Sequence, residues 1–345
     1  MRVPTSRKAA RVAAIGPYVA LVFVAATASV SAAEAAAACP EGGVFDGKPS
    51  SIHFRYENDH YAGQDQGYSS GLRWQAGSRD LTNDGCRTPL RRVADAAFGW
   101  ALPADPDALH LVAGVEHHVY TPTDRLRTDL IVDDRPYAGW FYSTWGMRAE
   151  SGRRRVEAAV DIGVVGPRAQ GEGAQNLLHR ILGRPEFDGW DNQLGNELGL
   201  NARYSDARRI VLVDGSSFGV DVIPHWGGSL GNVATHAEAG AELRLGWHLP
   251  DDFGRWPSSR GGQRSAYLFV TGDGRYVVRD LFLDGNTFRD SHTVEKKPWV
   301  GEAGVGVAAH FGSMRVSFSM QQRSREFEGQ RVLPRYGSLA FTQTF

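Results

Sequence analysis

A glutamine and a histidine four residues apart, Gln175 and His179, are one place in this sequence that could do acid–base chemistry. Residues 171–183 read as a short helix, because glycines bracket the stretch and Pro185 forbids continuation. On that helix Gln175 and His179 share one face. An imidazole held there could act as a general base near neutral pH; the plain alternative is an inert surface histidine. A second group is Asn58-Asp59 with Ser69 shortly after it. Asn and Asp oxygens are hard ligands of the kind calcium takes. The same residue types also favour turns, and the pair recurs at 83–84 and, reversed, at 191–192. Gly215-Ser216-Ser217-Phe218-Gly219 matches the G-x-S-x-G pattern of serine hydrolases. That motif needs a strand, an elbow and a helix, whereas strand-like residues flank it here on both sides. The sequence has no phosphate-binding loop, paired zinc motif or dinucleotide fingerprint.

The elements that must position these groups are strands. The chain has 345 residues, 42% hydrophobic and 22% charged, which suits a folded protein rather than a disordered one. Its formal net charge of −1 argues against a nucleic-acid binder. Only one apolar run is long enough to cross a bilayer, so a bundle of membrane helices is excluded. That run follows Arg2, Arg7, Lys8 and Arg11 and ends in small residues. This is the pattern of a secretory signal peptide over residues 1–38, cleaved somewhere in 32–38, with 39–345 as one domain. A membrane anchor is the alternative, but stop-transfer charges are missing. Export would place Cys39 and Cys86 in an oxidising compartment, where they can form one disulfide. Cys39 could instead be a lipidated N-terminus, although Ala36 stands where a leucine is usual.

Apolar and polar residues alternate through most of the remainder, as in Ile52-His53-Phe54-Arg55-Tyr56-Glu57 and the closing Leu339-Ala340-Phe341-Thr342-Gln343-Thr344-Phe345. The alternation marks about twelve segments, the even number expected of single-chain outer-membrane barrels. They fall at 51–59, 68–78, 109–119, 138–148, 154–165, 196–206, 209–224, 236–247, 265–276, 298–310, 313–325 and 336–345. Each is about ten residues long, enough for a tilted membrane strand. The expected fold is therefore all-β: a closed antiparallel transmembrane barrel with a short helix in an extracellular loop. Ser151-Gly152-Arg153, Ser205-Asp206-Ala207 and Phe311-Gly312-Ser313 read as tight periplasmic turns, and the longer stretches 119–138, 165–196 and 277–297 as outer loops. Two periplasmic connections, 79–108 and 249–264, are longer than this rule likes. Strand parity alone then places residues near 59, 69 and 179 on one outer rim. A soluble sandwich or lipocalin-like barrel is the competing architecture.

Several stretches are also similar to a known family. Glu57-Asn58-Asp59, Tyr68-Ser69-Ser70-Gly71-Leu72-Arg73, Tyr120-Thr121-Pro122, Asp133-Asp134-Arg135-Pro136-Tyr137-Ala138-Gly139-Trp140, Gln175 with His179, and Gly189-Trp190-Asp191-Asn192-Gln193-Leu194 occur in order over most of the chain. In these the chain resembles the lipid A 3′-O-deacylases, outer-membrane β-barrel enzymes of Gram-negative bacteria. The resemblance implies a calcium-dependent site at the outer rim that hydrolyses the 3′-linked acyloxyacyl ester of lipid A. It implies site roles for Asn58, Asp59, Ser69, Gln175 and His179. The family's following glutamate falls near 185–186, where Glu186 is the acidic residue, beside Pro185 and displaced by one position. In that setting Asp59, with Glu186, would hold Ca2+, and His179 would activate water. Ser69, which has no base of its own, would position rather than attack. Arg125 and Arg127 could meet lipid A phosphates, or be ordinary solvated loop charges. The expected partners are lipid A in the outer leaflet and the outer membrane, with no nucleic acid, and the chain is read as a monomer. The rival functions are a narrow pore or structural barrel, a phospholipase on the same scaffold, and a family member that has lost activity.

Overall fold

Lipid on one side and a narrow lumen on the other dictate the pattern of every long strand. A computed structural model describes residues 49–345 apart from 65–66, 83–88 and 256–262. The signal peptide expected over residues 1–38 and the disulfide expected between Cys39 and Cys86 lie outside the described residues. The strands are β1 (Ser51–Asn58), β2 (Gly67–Gly77), β3 (Ala108–Thr121), β4 (Ala138–Ser151), β5 (Arg154–Val165), β6 (Glu197–Arg208), β7 (Ile210–Asp214), β8 (Phe218–Gly231), β9 (Ala234–Trp247), β10 (Ser265–Asp280), β11 (Trp299–Phe311), β12 (Met314–Arg323) and β13 (Arg335–Thr344). All pairings are antiparallel. β1 pairs with β13 and β6 with β8, so twelve strands close on themselves and β7 hangs on the margin of β8. Closure satisfies the edges of these twelve strands, which hydrocarbon could not.

Outward residues such as Trp145, Leu198, Leu200 and Leu268 are exposed on the wall. Inward residues are charged and paired: Arg148 and Arg155 on Glu157 at 3.0 and 2.8 Å, Arg203 on Asp161 at 2.6 Å, and Arg73 on Glu116 at 2.7 Å. These pairs leave a lumen cavity of about 400 Å³.

The two long periplasmic connections each do something a turn could not. The first carries α1 (Pro89–Phe98). The described start of the second, residues 249–255, turns back into the barrel, burying Asp252 and Phe253. There Arg244 donates to both oxygens of Asp221 at 2.8 and 2.7 Å and pairs with Asp252, and Arg255 donates to Asp273 at 2.6 Å. Burial alone would raise the pKa of Asp252. Arg244, a hydrogen bond from His310 and Arg315 outweigh it and hold the carboxyl well below the usual carboxylate range.

Two sequence expectations are corrected. Residues 209–224 are not one strand: the chain reverses between β7 and β8, where Gly215 N–H donates to the Phe218 carbonyl. The G-x-S-x-G residues are therefore a hairpin turn. Ser205-Asp206-Ala207 is not a turn either, because β6 runs on to Arg208 with Asp206 opposite Val156. Arg154 takes the Asp206 carboxylate at 2.6 Å, so a residue with turn chemistry serves as a cross-strand partner. β8 accordingly extends to Gly231; Gly227 and Gly228 within it had blurred the alternation.

Candidate active site at the outer rim

The helix expected at 171–183 is α2 (Gly171–Leu182), in the β5–β6 connection. Gly183 ends it at φ 66°, a left-handed conformation that suits glycine, and its N–H reaches the Arg180 carbonyl. The helix is inside-out for a globular protein. Its polar residues Gln175 and His179 are buried, 2% and 3% exposed, while Leu177 and Ile181 are 54% and 72% exposed. Four-residue spacing puts each pair on its own face, and an apolar outer face is what lipid rather than water favours.

His179 is fixed at both ring nitrogens. Nδ1 lies 2.5 Å from the Pro185 carbonyl oxygen, which can only accept, so Nδ1 carries the proton. Nε2 is then the basic nitrogen and receives the Gln175 side-chain N–H at 3.0 Å. The Phe187 ring packs against the imidazole with centroids 5.4 Å apart. Gln175 Oε1 is buried with no hydrogen-bond partner among the described residues. An acceptor left so is costly unless a donor or cation meets it.

The run Asp133 to Trp140 builds the seat for this helix. Asp134 accepts the backbone N–H groups of Thr123 and Arg135 at 2.8 Å each. Arg135 is buried over the Tyr120 and Phe327 rings and 3.4 Å from Glu326. Burial would raise the pKa of Glu326, but Arg135 and Arg323 outweigh it and lower it. Tyr137 joins Val119, Phe187 and Trp190 in a small core. Burial pushes its phenol well up. Gly139 lies so close to α2 that a Cβ there would stand 2.8 Å from Gly171 N. His117 Nε2 holds the Ala169 carbonyl at 2.8 Å, just before the helix begins.

The second half of the site is at the tip of β1. Asn58 caps the short turn Asp59–Ala62, its Oδ1 accepting from His60 N at 2.9 Å, and its Nδ2 donates to the Ser69 carbonyl at 2.8 Å. Ser69 sits where the β2–β3 register shifts, and its hydroxyl is 2.5 Å from that of Thr121. Asn58, Asp59, Ser69 and Thr121 are all buried. Thr121 was not singled out as a site residue in the sequence; only its place beside Tyr120 and Pro122 hinted at it. The two halves flank the outer end of β3: Thr121 touches Ser69, and Val119, two residues earlier, packs beneath the α2 connection.

The remaining expected residues lie less centrally. Glu186 is exposed and pairs with Arg180 at 3.9 Å. Arg125 is half-buried, and its carbonyl accepts from Asp188 N at 2.9 Å, which ties its loop to the one after α2. Arg127 is exposed and lines a cavity of about 120 Å³ with Asp134, Phe327 and Arg331. Among the described residues no cluster of three or more His, Cys, Asp or Glu could hold a metal. Hard oxygen donors at the rim include the buried Asp59 carboxylate and neutral oxygens such as Gln175 Oε1.

The family model described as Outer membrane protein LpxR matches residues 19–345. The chain belongs to the LpxR family. It is similar to the solved structure of LpxR from Salmonella typhimurium, with 21% identity and a TM-score of 0.69, over 86% of this chain and 100% of that one. The β domain of the Bordetella autotransporter BrkA is a more distant barrel, with 10% identity and a TM-score of 0.42 over 86% of this chain and 97% of that one. No curated protein matches the sequence. As an LpxR-family barrel of twelve strands, the protein resides in the outer membrane of a Gram-negative bacterium. Membership of the LpxR family supports a lipid A-modifying enzyme of that membrane.

Proposed function

We propose that this protein hydrolyses the 3′-linked acyloxyacyl ester of lipid A, with His179 as the base that activates water. The observation that carries the reading is the buried Pro185–His179–Gln175 chain at the outer rim. It supports the reading because it fixes the imidazole as the tautomer with Nε2 basic and next to Gln175. Once the Gln175 N–H turns off Nε2, a water there would lose its proton to that nitrogen as its oxygen bonds to the ester carbon; the C–O bond to the sugar then breaks, the acyloxyacyl group leaves as the acid, and the imidazolium returns the proton to the departing sugar oxygen. The orphaned Gln175 Oε1 is placed to orient such a water. Asn58 and the Ser69–Thr121 hydroxyl pair keep the β1 tip in place, and Ser69 positions rather than attacks. Leu177 and Ile181 turn the mouth of the site toward acyl chains. Arg125 and Arg127, in the adjoining loop, would be candidate contacts for lipid A phosphates.

Asp59 and the neutral oxygens around it have the hardness calcium requires, so Asp59 would be the main ligand, with amide and hydroxyl oxygens completing the set. Glu186, turned outward to Arg180, would join only after leaving that partner. Calcium, when bound, supplies a positive charge for the developing oxyanion. The test is expression in a Gram-negative host followed by mass spectrometry of the extracted lipids, with and without a chelator. The proposal expects lipid A lighter by one acyloxyacyl group and restoration of full mass by the chelator. Unchanged lipid A with shortened glycerophospholipids would assign a phospholipase instead.

A further inference from the structure

The β2–β3 connection contains a surface that the hydrolytic site does not use. α1 packs on the outside of the barrel, because its Ala94 and Phe98 meet Leu109, Leu111, Met147 and Ala149. These β3 and β4 residues alternate with the inward-facing His110 and Arg148 and therefore point away from the lumen. They lie at the periplasmic ends of their strands. The next outward residue up β4 is Trp145, 50% exposed on the lipid-facing wall. The helix thus begins where the wall of exposed apolar residues stops.

Its free side is apolar as well. Val93, Ala96, Ala97 and Trp100 are exposed and recur at i, i+3, i+4 and i+7, one stripe along the helix and the turn that follows it. Val93 is 66% and Trp100 84% exposed. The indole N–H is not wasted on solvent, since it donates to the Ala97 carbonyl at 2.9 Å. Arg92, also exposed, borders the stripe, whereas Arg91 is engaged by Asp95 at 2.7 Å. A helix with apolar side chains on both its barrel side and its free side is mismatched to water. A tryptophan and an arginine at the edge of a bilayer fit the interfacial region, where amphipathic rings and cations meet headgroups. We propose that the Val93–Trp100 stripe beds into the phospholipid of the periplasmic leaflet, continuing the lipid-facing wall around the foot of β3 and β4. This would anchor the barrel's depth and tilt on that side.

The test uses the full-length protein refolded into phosphatidylethanolamine–phosphatidylglycerol vesicles, and compares it with Trp100→Phe. Subtracting the two emission spectra isolates Trp100 from the other tryptophans. The inference expects a blue-shifted difference spectrum that loses most of its intensity when brominated phospholipids replace the ordinary ones, and little with aqueous acrylamide. A red-shifted difference spectrum quenched by acrylamide and not by brominated lipid would overturn it. So would a signal quenched by neither, which would mean that protein, such as a second copy of the chain, covers the stripe. Folding of both proteins is checked by the gel-mobility shift of intact barrels on heating. None of these readouts depends on hydrolysis.

Discussion

The lumen and the outer rim put buried polar groups to different uses. In the lumen most strands send in charges, and many of these are paired: Arg148 and Arg155 share Glu157, and Arg244 is held by Asp221 and Asp252. Around the rim helix the buried polar groups are mostly neutral, and Gln175 Oε1 is among those with no hydrogen-bond partner among the described residues. Paired charges make a wall and a plug; an open acceptor beside a tautomer-fixed imidazole makes a place for chemistry. A barrel can therefore fill its interior with charge and still leave its outer rim for the proposed hydrolysis of a membrane lipid.

Substitutions at the two regions should separate stability from activity. The largest expected effect is on the plug side. Arg244→Met leaves Asp221 and Asp252 buried without their shared cation, and should destabilise the barrel by about 3–5 kcal/mol, measured by urea unfolding in vesicles. The per-barrel hydrolysis of molecules that remain folded should change little. Gly139→Val attacks the rim instead. Its side chain would press on the start of α2, at a cost of about 1–3 kcal/mol, and should lower hydrolysis while the heat-modifiable barrel persists.

The same plug sharpens the comparison through pH. Asp252 has a depressed pKa in the folded state, so its contribution is complete above the ordinary aspartate pKa of about 3.9. It is lost as pH falls below that value toward the folded pKa. Unfolding measured between about pH 6 and pH 3 should show wild type losing stability more steeply than Asp252→Asn; parallel curves would mean that Asp252 is not held as described. The smallest effect is expected at Thr121. Thr121→Val removes one hydroxyl contact to Ser69, worth about 0.5–1.5 kcal/mol, and should reduce turnover several-fold with the fold intact.

Strand alternation made most of the barrel legible, because lipid and lumen enforce opposite polarity on neighbouring residues. The rule failed where residue chemistry and position disagree. Asp206 carries turn chemistry but is claimed by Arg154 across the ladder, and Gly227-Gly228 offers no side chains to alternate. The rim was legible as parity: Asn58, Ser69 and His179 were expected at one end, and the structure puts them around the end of β3. The contacts within it were not. The outward turn of Glu186 toward Arg180 depends on how the chain leaves the helix after Gly183, and the Ser69–Thr121 pair depends on a register shift that no local pattern announces. The long connection 249–264 stood out only as too long for a periplasmic turn; its inward fold required partners, Arg244 and Asp273, that lie on distant strands.

The central claim is that a fixed imidazole at the rim, not the charged lumen, carries the reaction. The most direct measurement is the lipid A mass spectrum of Gram-negative cells making equal amounts of folded wild type and His179→Ala. The account predicts the acyloxyacyl loss in the first and full-mass lipid A in the second, a fall of about 10²–10⁴-fold in rate. Equal acyl loss in both would contradict it.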